Sequence, residues 1–503
     1  AGTELDLDSE PDAWAQIEKY DLAASFWQMI HGFFGYTEED PSLKNFLLRL
    51  YATDFAHHLH GTVPQYLRSL LLPQTSAPNV VACLGQWRYS QSKASSYDRL
   101  SEEVAEALKI GEHLAELEIE HLRDVMTFLL VEKRMVSGLR DRVQSTIETI
   151  NAEDIRAVAT RRQAGHWATL TQAQSVSVPR KVLHATYDAL VAAAELFMLR
   201  NRHQAGFDHP NAASLYRAYE TELFLFDQRY RHFCEAADVA EKANWDILKP
   251  LRAEVERCYV NWYLTNLVVS WGKFIQPAGG LLDKWQLPDT PNQYRFYQRN
   301  VQPWLAESDS KRAFVIISDA FRYEAAHELA AQLNGTYRLT AELTSQLGVL
   351  PSYTALGMAS LLPHQLLSYK SGTADVLVDG RSSAANERNS ILQSVGGMAC
   401  KADELMEKKR EEGRDFIKDK RVIYIYHDRV DAIGDDAKTE ADTFLAVRQS
   451  IDELAALVNH IVNNLNGHHI VVTADHGFLF AETPPDETNK SKLGEQPKGT
   501  ILA

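Results

Sequence analysis

The sequence predicts a helical N-terminal region followed by an α/β domain whose sheet is mostly parallel. From residue 10 to about residue 275, apolar residues recur at helical spacing, and no convincing strand alternation precedes residue 310. From Phe314 onward, short apolar runs alternate with amphipathic stretches, as expected for buried strands joined by helices that cover both faces of a sheet. At 503 residues, the chain is too long for one compact core, which favours more than one domain.

Four segments carry the helical pattern of the first region. The longest covers residues 101–150, and its apolar stripe with acidic flanks consists of Val104, Leu108, Ile110, Leu114, Leu117 and Leu122. The other segments cover residues 13–36, 180–207 and 249–275. We therefore predict an all-α region over 1–290, arranged as a bundle or as a helical array.

The second region begins after a stretch rich in Pro, Gly and Gln at residues 276–304. We predict a linker over 291–310 and an α/β domain over 311–503. Strands are expected at AFVIIS, RLTAEL, DVLVDG, RVIYIY and HHIVVTA, which occupy 313–318, 338–343, 375–380, 421–426 and 468–474. Helices are expected over 321–333 and over about 441–464.

The composition is that of an ordinary soluble protein, with 45% hydrophobic and 24% charged residues. No run approaches the ~18 apolar residues that span a bilayer, and the acidic start is unlike a secretory signal. Four cysteines without CxxC spacing fit a reducing compartment, so a cytoplasmic protein without membrane contact is expected. The net charge of −16 argues against an extensive basic surface, but a local cleft or a bound cation leaves DNA as a candidate partner.

Polar residues follow the predicted strands at the ends where parallel sheets bind ligands. Asp319 ends the first strand, and Asp475 and His476 end the last one. The strand RVIYIY is followed by His427, Asp428 and Asp431. Carboxylates and an imidazole gathered at several strand ends predict a site for zinc, manganese or magnesium.

Thr354 adds a hydroxyl to this group. It lies in PSYTALGMASLL, where Pro351 and Ser352 indicate the start of a helix, and a helix N-terminus favours an anion. Metal ions neutralise the charge of a phosphoester and activate a hydroxyl, so Thr354 is the expected nucleophile, without a Ser-His-Asp relay. The sequence contains neither a GxSxG elbow nor a GxxxxGK[ST] loop that would favour another chemistry.

Five motifs in this order, SDAFRYE, PSYTALGMASLLPH, VDGRSS, YHDRVDAIGDD and TADHGF, resemble the PglZ domain, a branch of the alkaline-phosphatase superfamily. The resemblance covers about residues 311–480. The preceding helical region resembles what lies ahead of that domain in PglZ proteins of bacterial BREX phage-defence systems. It implies an alkaline-phosphatase-like fold, a divalent metal with zinc favoured over manganese or magnesium, and other BREX proteins as partners.

The superfamily pattern also implies roles for single residues. One metal would be held by Asp319, Thr354, Asp475 and His476. The second would be held by Asp431 of a D-x-x-G-H motif, whose histidine is replaced here by Asp435, which makes the position harder and more anionic. The pattern expects a further histidine ligand after TADHG, and none follows before Ala503. We therefore expect that this sequence is a fragment that lacks the C-terminal end of its domain, and that it binds metal weakly because a ligand is missing.

Two further residues receive catalytic roles with open alternatives. Arg322 would hold a substrate phosphate through two hydrogen bonds, or would pair with Glu324 or Asp319. His427 would act as a metal ligand or a general acid, or would orient the metal ligands through hydrogen bonds without touching the metal.

The leading hypothesis is a metal-dependent phosphoric ester hydrolase of a BREX antiviral defence system, either a phosphodiesterase or nuclease, or a phosphatase. The rival hypothesis is a scaffold with a degenerate PglZ domain that assembles other BREX components. The replaced histidine and the large helical region motivate the rival.

Overall fold

The computed structural model describes residues 7–8, 11–170, 178–275, 280–308, 311–434 and 439–482. The chain divides into two compact units. The helical unit comprises residues 1–202 and 232–255, and the sheet unit comprises residues 203–231 and 256–503.

This division differs from the predicted boundaries, because residues 203–231 and 256–290 lie in the sheet unit. Buried polar contacts account for the first segment. Arg231, which is fully buried, donates from Nε to Glu324 Oε1 at 3.0 Å and from Nη2 to Oε2 at 2.8 Å. Gln228 donates to the backbone carbonyl of Glu324 at 3.0 Å. Helical spacing in a sequence shows that a helix has an apolar face, but not which partner covers it.

The described part of the stretch predicted as a linker, residues 291–308, forms three short helical turns. These are Gln293–Arg295, Tyr297–Val301 and Gln302–Ala306, the second of them π-helical. Phe296, Val301 and Leu305 from this stretch are buried in the same core cluster as the first strand. The segment is therefore part of the α/β core.

The helical unit confirms the predicted helical region. Its helices and turns are Asp12–Lys19, Ala23–Phe34, Leu43–His58, Gln65–Arg68, Gln74–Ser76, Ala77–Arg88, Ala94–Ala107, Ile110–Leu114, Ile119–Leu122, Leu129–Ser145, Ala152–Gln163, Arg180–Arg202 and Asp246–Leu248, with parts of Phe224–Glu241 and Lys249–Glu256. No strand precedes Ala313 in the described part of the chain. The segments 13–36 and 101–150 are broken, and Asp21 (φ 53°) and Lys109 (φ 51°) adopt left-handed backbone at the breaks.

The helix Arg180–Arg202 is long and apolar enough to cross a membrane by length and composition alone. In the structure, 78% of its most apolar window is buried inside the protein. Fifteen of its residues, among them Leu190 and Phe197, are buried. This burial is typical of a core helix.

In the described part of the sheet unit there are seven strands. They are β1 Ala313–Ser318, β2 Leu367–Tyr369, β3 Val376–Val378, β4 Arg381–Ser382, β5 Gly397–Lys401, β6 Val422–His427 and β7 Ile470–Thr473. Four of them form a parallel sheet in the order β5-β6-β1-β7, and β2, β3 and β4 form a separate antiparallel sheet. The other helices and turns of this unit are Ala212–Ala218, Tyr219–Leu223, Arg257–Leu264, Thr265–Ile275, Leu281–Lys284, Tyr323–Gly335, Thr354–Leu361, Arg388–Gln393, Ala402–Met406, Arg410–Phe416, Arg429–Gly434, Glu440–Asp442 and Thr443–Leu465.

Both faces of the parallel sheet are covered, as the apolar strands predict. Phe314 and Ile316 of β1 pack in one core cluster with residues of Tyr323–Gly335 and Thr443–Leu465. Val315 and Ile317 point to the other face and pack in a second cluster that includes the helix Thr354–Leu361. The predicted α/β architecture with helices on both faces is therefore confirmed.

Three strand assignments need correction. RLTAEL forms no strand: its first residue, Arg338, adopts left-handed backbone (φ 54°), and residues 339–343 pair with neither sheet. DVLVDG contributes only Val376–Val378, and this strand belongs to the antiparallel sheet. The edge strand Gly397–Lys401 was not predicted, because its sequence GMACK lacks a continuous β-branched run.

Candidate metal centre

The predicted strand-end residues do meet at one edge of the sheet. Asp319 directly follows β1, and Asp475 and His476 come just after the neighbouring strand β7. Ala320, beside Asp319, has a left-handed φ of 58°, which costs free energy in a residue with a side chain. Its N–H lies 3.3 Å from Asp475 Oδ1 and donates to it. The strained turn thus ties the two strand ends together.

A close contact brings Thr354 to this edge. Thr354 is the first residue of the helix Thr354–Leu361, as predicted. A Cβ on Gly357 would lie 2.4 Å from the carbonyl oxygen of Asp475, so the helix can pack on the strand end only with glycine there. In this position Thr354 Oγ1 lies 3.0 Å from His476 Nε2.

The two aspartates carry more negative charge than their surroundings balance. Asp319 is 7% exposed and Asp475 is 3% exposed. His476 Nε2 lies 3.4 Å from Asp319 Oδ1 and 3.4 Å from Asp475 Oδ2. Neither of these oxygens accepts from an N–H or hydroxyl donor among the described residues, and the two carboxyls interact with each other instead. Buried carboxylate oxygens without donors are costly unless a cation occupies the space between them.

The pKa values reflect the same imbalance. Burial, and then the neighbouring Asp475, raise the pKa of Asp319 to about 7. Burial also raises the pKa of Asp475. Burial alone would lower the pKa of His476, but the carboxylate of Asp475 reverses this and the net pKa is raised. A divalent cation would stabilise the ionised form of both carboxyls against burial and against each other, and would favour the neutral form of His476.

Asp431 completes the group. It lies on the short helix Arg429–Gly434, which follows β6. One ligand atom each from Asp319, Asp431 and His476 lie within 4.8 Å of one another. Ligands at ~2.0–2.2 Å from a shared ion are separated by roughly 3–4.4 Å, so the three residues fit a metal ion. Asp431, which the resemblance assigns to a second metal position, thus lies beside Asp319 and His476. Its assignment to a second metal stays a prediction, and Asp435 lies outside the described residues.

His427 and Arg322 have other partners in the structure. His427 is 7% exposed, with Nδ1 2.9 Å from Ser318 Oγ and Nε2 3.0 Å from Glu453 Oε2. Arg322 Nη2 lies 2.7 Å from Asp227 Oδ1, rather than pairing with Glu324 or Asp319. These contacts favour supporting roles beside the metal group, while their catalytic roles stay predictions.

Asp227 holds Arg322 through an unusual concentration of donors. Its carboxylate accepts hydrogen bonds from Tyr219 at 2.8 Å, Tyr259 at 2.6 Å and Tyr263 at 3.3 Å. The three tyrosines lie on the π-helical segments Tyr219–Leu223 and Arg257–Leu264, a helix type that is frequent at functional sites. The helices before residue 290 thus fix a residue of the SDAFRYE motif.

Two residues near the site were missed by the sequence reasoning. Gln293 is 2% exposed; it donates to the carbonyls of Asp475 at 2.7 Å and Ala474 at 3.1 Å, and accepts from the Val349 N–H at 2.9 Å. Arg388 is half-buried, and its positive charge lowers the pKa of Asp319 against the larger effects that raise it. Neither residue follows a strand or stands in a recognisable motif, so the sequence held no signal for them.

Comparisons with known proteins agree with this architecture. Residues 296–503 match the family described as the BREX system PglZ alkaline phosphatase-like domain. The chain is 38% identical over 502 residues to the alkaline phosphatase-like protein BrxZ of Escherichia coli O9:H4 (strain HS), covering 99% of this chain and 57% of that protein. It is 30% identical over 483 residues to the alkaline phosphatase-like protein PglZ of Bacillus cereus (strain H3081.97), covering 95% and 54%. The chain thus spans about half the length of these curated relatives. No solved structure matches it significantly.

Proposed function

We propose that this chain, which belongs to the PglZ-domain family, hydrolyses phosphoesters with a divalent metal ion as part of a bacterial BREX phage-defence system. The observation that carries the proposal is the position of Thr354. Its hydroxyl lies 3.0 Å from His476 Nε2, beside two buried carboxylates whose orphaned oxygens fit a cation. A nucleophile next to such a group is the arrangement that phosphoester hydrolysis requires.

Asp319, Asp431, Asp475 and His476 would hold the metal; the resemblance favours zinc, and the carboxylate-rich donor set also suits manganese or magnesium. Once bound, the ion would neutralise phosphoryl charge and lower the pKa of a nearby hydroxyl. His476 is oriented for this role by its backbone contact. Its Nδ1 lies 2.9 Å from the carbonyl oxygen of Gly477, which can only accept, so Nδ1 carries the hydrogen and the lone pair of Nε2 faces the site.

Thr354 supplies the attacking oxygen in this proposal. Its helix starts without a side-chain cap, because the N-cap residue Tyr353 makes no such hydrogen bond. The first backbone N–H groups are therefore available to phosphoryl oxygens, and the helix dipole favours their negative charge. Arg388 is the half-buried cation whose field reaches Asp319, and we propose that it also attracts the substrate phosphate.

The test is the hydrolysis of bis(4-nitrophenyl) phosphate and of plasmid DNA by the purified protein with zinc or manganese. Thr354→Ala should abolish both activities, while Thr354→Ser should retain a substantial part, because it keeps the hydroxyl. Unchanged rates in Thr354→Ala would contradict the assignment of the nucleophile. A phosphatase is distinguished by a preference for 4-nitrophenyl phosphate, the monoester.

The second candidate function is a scaffold that assembles other BREX proteins, favoured by Asp435 at the position where the superfamily has a histidine. Metal analysis separates the two functions. A protein that binds no zinc or manganese, yet retains BREX partners in a pull-down from the cytoplasm, would support the scaffold. Stoichiometric metal that is lost in Asp475→Asn would support the enzyme.

A further inference from the structure

The side chain of Glu453 connects three elements behind the metal-binding edge of the sheet. It lies on the helix Thr443–Leu465. Its Oε2 accepts from Arg429 Nε at 2.7 Å, and its Oε1 lies 2.5 Å from Arg429 Nη2. Oε2 also lies 3.0 Å from His427 Nε2. One carboxylate thus holds the last residue of β6 and the first residue of the short helix Arg429–Gly434.

His427 extends this connection to Asp319. Because an ionised carboxylate can only accept, His427 Nε2 carries the hydrogen that faces Glu453, and in the neutral ring Nδ1 accepts from Ser318 Oγ at 2.9 Å. Ser318 is fully buried and directly precedes Asp319. The backbone N–H of Asp319 also donates to the carbonyl of His427 at 2.8 Å. The end of β1 that carries Asp319 is therefore fixed to both the side chain and the backbone of His427.

Arg429 extends the connection to Asp431, two residues further along the chain. The short helix that carries both has only six residues, and a helix of this length is not stable by itself. Two contacts hold it in place. Arg429 bonds to both oxygens of Glu453, and Val430, which is 1% exposed, packs in the core cluster that includes the helix of Glu453. The position of the Asp431 carboxylate therefore depends on Glu453.

Glu453 has the charge state and the location of a supporting group. Burial would raise the pKa of its carboxyl, but the hydrogen bonds from Arg429 and His427 outweigh burial, and the net pKa is lowered. The carboxylate is therefore ionised at neutral pH. Its side chain is 40% exposed, and it does not belong to the group of ligand atoms formed by Asp319, Asp431 and His476.

We infer that Glu453 is a positioning residue that sets the distance between the carboxylates of Asp319 and Asp431. Asp319 follows β1 and Asp431 lies beyond β6, so no single element fixes their separation. A divalent ion is bound tightly only when its ligand oxygens are held at the correct spacing by the groups behind them. Glu453 thereby controls the metal affinity of the site. The inference rests on the metal centre of the proposed function.

The test compares two carboxylate-to-amide substitutions in the same helix. Glu453→Gln keeps the size of the side chain, but its amide cannot accept the three hydrogen bonds that the carboxylate accepts. The Kd for zinc and for manganese, measured by competition with a chromophoric chelator, should rise by about 10- to 100-fold. Asp452→Asn is the matched control. It removes the same charge one residue away, where Asp452 accepts from Gln332 at 3.1 Å, and it should leave both Kd values unchanged.

Thermal unfolding in the presence of a chelator separates positioning from a general loss of structure. The Tm of metal-free Glu453→Gln should be close to that of Asp452→Asn, because ion pairs at half-exposed positions contribute little to stability. If Glu453→Gln does not fold, Arg429→Lys is the second variant. It retains the positive charge but loses the two parallel hydrogen bonds, and it should raise the Kd in the same direction.

An unchanged Kd in Glu453→Gln, or an equal rise in Asp452→Asn, would overturn the inference and leave the proposed hydrolysis standing. If the wild-type protein binds metal and Glu453→Gln weakens that binding, but no ester is hydrolysed, the inference is supported and the proposed function fails. A wild-type protein that binds neither zinc nor manganese would overturn both.

Discussion

Among the described residues, each unit contains a buried aspartate next to a histidine, and the surroundings of the two pairs are opposite. In the helical unit, Asp98 Oδ1 lies 2.5 Å from His166 Nε2, and its other oxygen accepts from Arg180 Nη2 at 2.9 Å. In the sheet unit, Asp475 Oδ2 lies 3.4 Å from His476 Nε2 and accepts from no N–H or hydroxyl donor among the described residues. The first aspartate is neutralised by a guanidinium, whereas the second shares its space with another carboxylate.

The histidines respond in opposite directions. Burial lowers the pKa of His166, and the nearby Arg180 adds to this against the pull of Asp98. The pKa of His476 is raised, because Asp475 and Asp319 outweigh the burial that would lower it. Residue type alone therefore does not mark a functional site. A better indicator of a functional site is a buried charged group that no opposite charge in the protein neutralises.

The largest expected effect is at the unbalanced pair. Asp475→Asn should reduce the hydrolysis of bis(4-nitrophenyl) phosphate by more than about 1000-fold, because it removes a ligand and the charge that attracts the cation. The zinc content of the purified protein should fall with it. Asp98→Asn makes the same substitution at the balanced pair and should leave both quantities unchanged. Similar losses in the two variants would contradict the distinction between the pairs.

For the free energy of unfolding we expect the opposite ranking, with a larger loss in Asp98→Asn than in Asp475→Asn. Asp98→Asn removes the carboxylate that accepts from the buried Arg180 and should lower the free energy of unfolding by about 3 kcal/mol. Asp475→Asn should cost little in metal-free protein, because it relieves repulsion with Asp319. Thermal unfolding of both variants in the presence of a chelator checks the comparison. A larger loss in Asp475→Asn would show that its carboxylate is structural.

The close contact at Gly357 should matter for catalysis. Gly357→Ala places a Cβ where the Asp475 carbonyl now lies 2.4 Å away, so the Thr354 helix must shift. A displacement of about 1 Å can reduce a rate by about 100-fold, and a fall in kcat of that order is expected. Gly272→Ala, in a helix with nothing within 4 Å of the added Cβ, should leave kcat unchanged. A normal kcat in Gly357→Ala would mean that the helix position is not critical.

The smallest effect is a pH dependence of stability from the balanced pair. The titratable groups that face His166 are Asp98, Arg180, Arg88, Tyr89 and Tyr97. Because its folded-state pKa lies below the unfolded value of 6.5, the unfolded chain binds more protons as the pH falls below that value. The free energy of unfolding should then decrease by up to about 1.4 kcal/mol per pH unit. Urea unfolding at pH 7.5 and 5.5 measures this, and an unchanged slope in His166→Asn would contradict it.

Much of the site could be predicted because parallel sheets gather their strand ends. Asp319, Asp475 and His476 follow short apolar runs, and such runs are buried strands whose carboxyl ends meet at one edge. Thr354 was placed at a helix start by the proline and serine before it. The missing edge strand and the false strand at 338–343 arose because short segments carry weak signals that tertiary contacts override.

The sequence by itself predicted the fold class, the resemblance to the PglZ domain and the residues proposed to bind a metal, because local periodicity and motif spacing are written along the chain. Only the tertiary structure showed that residues 203–231 and 256–290 belong with the sheet, that Asp431 joins Asp319 and His476, and that Gln293 fixes the Asp475 strand end. These are contacts between residues that lie tens of positions to more than a hundred positions apart in the chain, and no local pattern specifies them. The imbalance of charge that distinguishes Asp475 from Asp98 is likewise a property of neighbours in space.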